Sequence, residues 1–189
     1  MADVLLFHHA NGLTSGIEAL ARRLRSAGHR VTTPDLYEGE VFSSLDDGVA
    51  HAQSIGFDTV IERGVAAAAA VEGPYVTMGL SLGVLPAQKL AQTDAAVTGA
   101  VLCHGAVPVA TFGDGWPDGV GLQIHLVEDD PFVAEDLGAA EELATADGAE
   151  LHLYPGSGHL VTDQTSADWD PDTAGRILDR IERFLDHRR

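Results

Sequence analysis

Short runs of apolar and β-branched residues recur along the whole chain, each followed by a longer stretch with helical spacing. No other feature constrains the fold as tightly. Strands are expected at Val4–His8, Arg30–Thr33, Tyr75–Leu80, Val97–Cys103, Leu122–Leu126 and Glu150–Tyr154. Several of these runs, VTGAVLC among them, are apolar at successive positions, which suits strands covered on both faces of a parallel sheet. Helices fit between them. Ile17–Ala27 places Leu20 and Leu24 on one face and stops at Gly28. Phe57–Val71 ends in an alanine run that favours helix and packs closely. Leu82–Ala91, Glu135–Ala146 and Thr173–His187 complete the set, the last with Ile177, Ile181, Phe184 and Leu185 at helical spacing. The expected architecture is α/β: a mostly parallel sheet of about six strands, with helices on both faces and right-handed crossovers. No repeat or linker divides the sequence, so residues 1–189 are expected to form one domain.

Composition narrows the class of function. A hydrophobic content of 45% in 189 residues can fill a core, and no run of 18 apolar residues offers a membrane span. The first strand begins at Val4, which leaves no room for a cleavable leader, and Cys103 is the single cysteine. Both point to a cytoplasmic protein. A net charge of −18 repels phosphate backbones and anionic lipid, so neither nucleic acid nor membrane is an expected partner. Lys89 is the only lysine. This acidity fits either a high-salt cytoplasm or GC-rich coding.

In a parallel sheet the functional residues gather in the loops that follow the strands' C-terminal ends. Gly79-Leu80-Ser81-Leu82-Gly83 lies between the strand YVTMGL and a helix, as a nucleophile elbow requires. The pentapeptide alone is weak evidence; chance gives roughly 0.1 matches in a chain of this composition, and a solvated serine in a glycine-rich turn is the plain alternative. An acid is expected after a later strand, where Glu128-Asp129-Asp130-Pro131-Phe132-Val133 follows LQIHLV; spacing does not choose between Asp129 and Asp130. A base is expected after the last strand, where Gly156-Ser157-Gly158 gives His159 the backbone freedom to reach a neighbouring serine. Ser81, an aspartate and His159 thus fall in the order Ser, Asp, His, each just past its own strand.

These segments resemble the dienelactone hydrolase family of α/β-hydrolases along essentially the whole chain. Pro34-Asp35-Leu36-Tyr37 is similar to that family's PDLY signature, Asp130-Pro131-Phe132-Val133 to its acid segment, and Tyr154-Pro155-Gly156-Ser157-Gly158-His159 to its histidine loop. The resemblance implies a trimmed α/β-hydrolase fold without a cap domain, and Asp130 as the acid. It also exposes departures. Ser81 stands where the best-known members carry cysteine, and His9 where many carry a glutamate. The arginines that clamp a substrate carboxylate are missing; Glu38, Gly39 and Glu40 occupy one loop and Asp163 the other. The expected substrate is therefore a small neutral or cationic ester, lactone or thioester, not an anionic lactone.

The implied chemistry is acyl transfer through Ser81, with His159 as base and Asp130 orienting it. The oxyanion is expected at the backbone N–H of Leu82 and a second N–H in the HHANG loop, that of Ala10. His9, Tyr37, Phe112 and Trp116 are candidate pocket walls, although most loop aromatics simply cover core. Neither metal nor organic cofactor is called for: His8, His9, His104 and His125 lack zinc-ligand spacing, and Cys103 reads as a core thiol. Two alternatives remain open at this level, a non-catalytic binding or interaction module of the same fold, and a thioesterase or acyltransferase using the same residues. The sequence sets no oligomeric state.

Overall fold

The computed structural model describes residues 1–188. Six strands, β1 (Asp3–Phe7), β2 (Arg30–Thr32), β3 (Tyr75–Leu80), β4 (Val97–Cys103), β5 (Gly121–Val127) and β6 (Ala149–Tyr154), form one sheet in the order β2-β1-β3-β4-β5-β6. Every neighbouring pair is parallel. Each strand lies within one residue of its expected bounds, because a run of successive apolar residues can be buried only where both faces are covered.

The two faces have separate cores. Val4 and Leu6 of β1 point to one side, with Val76, Met78 and Val101, and are covered by α1 (Ser15–Ser26) and α6 (Pro171–Asp186) through Ile17, Leu20, Leu24, Ile177, Ile181 and Phe184. Leu5 and Phe7 point to the other, as the strand's period of two requires. There α3 (Phe57–Ala68), α4 (Val84–Thr93) and α5 (Val133–Leu143) cover Ala100, Leu102, Leu122 and Ile124 with Val60, Leu90 and Leu143. Sharp caps set the starts of α1 and α6: Thr14 Oγ1 accepts from the Ile17 N–H, and Asp170 accepts from Asp172 and Thr173 ahead of Pro171.

One helix was not expected. Leu45–Ile55 forms α2, started by Ser44, whose Oγ accepts from the Asp47 N–H. It buries only Gly48 and Ala52, so it has no stripe of large apolar residues to reveal it. The alanine run also ends sooner than expected, at Ala68, with Ala69–Val71 in i→i+3 turns. Those residues offer little to bury. No helix among the described residues is long and apolar enough to cross a membrane.

The strand order positions the functional loops. From β1 the chain runs outward to β2, then returns to place β3 on the other side of β1. The loops leaving β1 and β3 therefore diverge and open a crevice at their C-terminal ends. Phe7 pairs with Gly79 in register, so residues 8–12 and Ser81 emerge side by side.

Buried histidines couple this packing to pH. His8, His104 and His125 are at most 1% exposed. Burial pushes His8 down to about 4 and holds His104 and His125 well below the usual 6.5. Below pH 6.5 the unfolded chain binds these protons and the folded one does not, so stability falls with pH across the window from 6.5 down to about 4. Three such groups give a limiting slope of roughly 4 kcal/mol per pH unit. The urea midpoint is expected to drop steeply between pH 7 and pH 5; a flat profile would contradict neutral burial of these rings.

Candidate active site

β3 ends at an extended Leu80, and Ser81 then takes a left-handed backbone with φ 49° before a 3-10 turn, Ser81–Gly83, leads into α4. A non-glycine residue held there costs about 1–2 kcal/mol, and the surroundings enforce it. The two glycines of the motif are set by space rather than by φ. A Cβ at Gly79 would lie 2.3 Å from the Gly83 carbonyl oxygen, and one at Gly83 would lie 2.5 and 2.7 Å from those of Phe7 and His8. The start of the helix is thus pressed onto the end of β1. Its first N–H groups, Leu82 included, have no intrahelical acceptor.

The serine hydroxyl lies 2.7 Å from His159 Nε2, and His159 Nδ1 lies 2.6 Å from Asp130 Oδ2. Asp130 is buried against the histidine, whereas Asp129 is exposed. Asp130 Oδ1 also accepts from the Phe132 N–H at 2.9 Å, which fixes the carboxylate plane. A carboxylate can only accept here, so His159 carries its proton on Nδ1 and offers the Nε2 lone pair to Ser81. The Phe132 ring, half-exposed, lies 4.6 Å from the imidazole, centroid to centroid. Asp168 accepts from the N–H groups of His159 and Leu160 at 3.1 and 3.3 Å and pins the histidine loop from below.

A second layer surrounds the first. His104, at φ 62° after β4, meets Thr162 Oγ1 through Nε2 at 2.8 Å, and its ring stands 6.1 Å from that of His159. Burial, then the neighbouring histidines, keep His104 neutral. Asp136 accepts from the Ala106 N–H, and burial raises its carboxyl above the ordinary value. Gly105 separates it from the elbow: a Cβ there would sit 3.2 Å from Asp136 Oδ2 and 3.8 Å from Ser81 Cα.

The expected pocket walls do not gather here. His9 is fully buried, with Nε2 2.7 Å from Asp163 Oδ2 and Nδ1 accepting from the Asn11 N–H at 3.2 Å, so both nitrogens are occupied and neither faces an open site. Tyr37 is likewise buried, its hydroxyl donating to the Gly48 carbonyl and its ring packed edge-on against His8 and His51. Phe112 and Trp116 belong to a loop fastened along α4 by Gln92, which donates to the carbonyls of Val109 and Gly115. Gln92 lies eleven residues beyond Ser81, roughly 16 Å along the helix. Phe112 packs under Lys89, and Trp116 lines a separate cavity of about 390 Å³ with Glu142 and Leu143. Asp163 needs correction too. It is a buried carboxylate rather than an open repelling wall, whereas Glu38 and Glu40 are exposed, with Glu38 paired to Arg63. Ala10 is buried in the loop beside the elbow.

Sequence reasoning missed Asp168, Asp136 and the anchoring role of Asp163. Aspartates two residues before a threonine or behind a serine are turn formers, as in Asp163-Gln164-Thr165, and that local signal was available.

A profile described as the dienelactone hydrolase family matches residues 2–188. Among solved structures, a dienelactone hydrolase from Anabaena variabilis superposes with a TM-score of 0.73 at 17% identity, over 99% of this chain and 86% of that one. A dienelactone hydrolase-like promiscuous phosphotriesterase from metagenomic libraries gives 0.77 at 20%, over 99% and 86%. A cold-adapted esterase from an Arctic intertidal metagenomic library gives 0.61 at 20%, over 96% and 81%. At these identities the likeness is one of fold. No curated protein matches the chain.

Proposed function

The chain belongs to the dienelactone hydrolase family, and from that premise we propose that it is a serine hydrolase of small carboxylic esters, neutral or cationic in preference to anionic. The observation that carries this reading is the unbroken relay Ser81–His159–Asp130, with contacts of 2.7 and 2.6 Å, at the crevice of the sheet. His159 removes the Ser81 proton as the hydroxyl oxygen attacks the substrate carbonyl, and Asp130 stabilises the imidazolium that forms. The tetrahedral oxyanion is held by the N–H groups of Leu82 and Ala10. His159 then protonates the leaving alcohol, and a water activated by the same nitrogen releases the acid from Ser81. One carboxyl near the elbow and the overall acidity support the charge preference: Asp136 lies across Gly105 from Ser81, and the chain carries a net −18.

A fluorophosphonate probe tests the reading directly. Wild-type protein is expected to be labelled at one site, mapped to Ser81 by peptide mass, and to hydrolyse a short acetyl ester at least tenfold faster, by kcat/KM, than its succinyl monoester analogue. Folded protein that takes no label would overturn the proposal. Equal rates on the two esters would remove the charge preference alone.

A further inference from the structure

We infer that His9 and Asp163 are a positioning pair that presets the oxyanion donor of the HHANG loop and locks it to the loop carrying His159. The inference rests on the serine-hydrolase reading and adds to it how the donor is held.

Asp163 is saturated. Its Oδ2 accepts from His9 Nε2–H at 2.7 Å and from the Thr14 hydroxyl at 2.6 Å. Its Oδ1 accepts from the Thr165 N–H at 2.7 Å and the Thr165 hydroxyl at 2.6 Å. Burial opposes charge on this carboxyl, but the bonds from His9, Thr14 and Thr165 outweigh it and hold it well below the usual carboxylate range. One carboxylate thereby ties together the loop after β1, the N-cap of α1 and the segment four residues past His159. Gly16 makes the space, since a Cβ there would lie 1.7 Å from Asp163 Oδ1.

The other side of the His9 ring acts on the loop itself. Nδ1 accepts from the Asn11 N–H, the Gly12 N–H donates to the His9 carbonyl at 3.0 Å, and the Asn11 carbonyl accepts from the Phe42 N–H at 2.9 Å. These bonds engage the backbone N–H groups of residues 11 and 12. None of these bonds engages the Ala10 N–H, which stands next to the tethered Asn11 peptide. His9 therefore satisfies its neighbour's N–H with one nitrogen and is itself fixed through the other. A peptide group held in this way needs no reorganisation when charge develops, which is what makes an oxyanion donor effective.

The two nitrogens can be separated by substitution. His9→Asn keeps an acceptor near the Nδ1 position but cannot reach Asp163. His9→Gln keeps a donor near the Nε2 position but offers nothing to the Asn11 N–H. Each is expected to lower kcat on a neutral acetyl ester ten- to a hundred-fold with KM within about twofold, and to slow fluorophosphonate labelling in parallel. Far-ultraviolet dichroism and active-site titration correct each rate to the folded, labelled fraction. Wild-type rates in both variants after that correction would overturn the inference, as would a loss carried by KM instead of kcat. Failure of the wild type to label would instead remove the serine-hydrolase reading, and the inference with it.

Discussion

Replacing Ser81 with alanine is expected to lower kcat on short esters by on the order of 10⁶, leaving only the residual acceleration of the oxyanion donors and substrate binding. The size follows from the relay. Without the hydroxyl, His159 Nε2 has no proton to take and the substrate carbonyl no attacking atom within the 2.7 Å contact now present. The same position predicts an opposite effect on stability. Ser81 is held at φ 49°, where a side chain costs about 1–2 kcal/mol and glycine costs none. Ser81→Gly is therefore expected to be as inactive as Ser81→Ala yet to melt about 2–8 °C higher than the wild type. Calorimetry beside a turnover assay reads both. More than one hundredth of wild-type kcat in Ser81→Ala would remove Ser81 from the chemistry.

Asp130→Asn is expected to lower kcat by about 10⁴ with the fold intact. Asp130 Oδ1 accepts from the Phe132 N–H, so an asparagine places its oxygen there and turns its amide NH₂ toward His159. That NH₂ can only donate, so Nδ1 loses its proton and the imidazole carries it on Nε2, facing Ser81. A protonated Nε2 cannot accept from a hydroxyl. Asp129→Asn supplies the control, because that side chain is exposed and the Asp129 bond to the loop, to the Gly156 carbonyl, is made by its backbone N–H. It is expected to retain kcat within about twofold. Equal losses in the two variants would point to loop charge rather than imidazole orientation.

Much of the sheet could be read in advance because burial on both faces leaves an unmistakable local mark, a continuous apolar run. The helices were legible in proportion to their large apolar residues. α6, with Ile177, Ile181 and Phe184 buried, was plain, whereas α2 buries glycine and alanine and was invisible. Ser81, His159 and the Asp129–Asp130 pair were candidates because they follow strands, a rule of topology that needs no coordinates. Spacing along the chain could not separate the two aspartates; in space it is Asp130 that lies against His159. The pocket walls failed for a related reason. Loop aromatics such as Phe112 and Trp116 are recruited by whichever neighbour holds the loop, here Gln92 of α4, and nothing in the residues between 104 and 120 names that neighbour. The burial of His9 and Asp163, 154 residues apart, was equally beyond local pattern.

Because β1 and β3 are neighbours in space while β2 and three helices intervene along the chain, and the histidine loop follows the last strand, the site has no contiguous minimal fragment. A chain still emerging from the ribosome holds Ser81 well before His159, with Asp130 made between them. Residue 163 must be made before it can close back onto residue 9. On the proposed mechanism, geometry alone withholds hydrolysis from every product of synthesis that stops short of His159. A break anywhere between these two residues leaves halves that recover a site only by rejoining the parallel sheet.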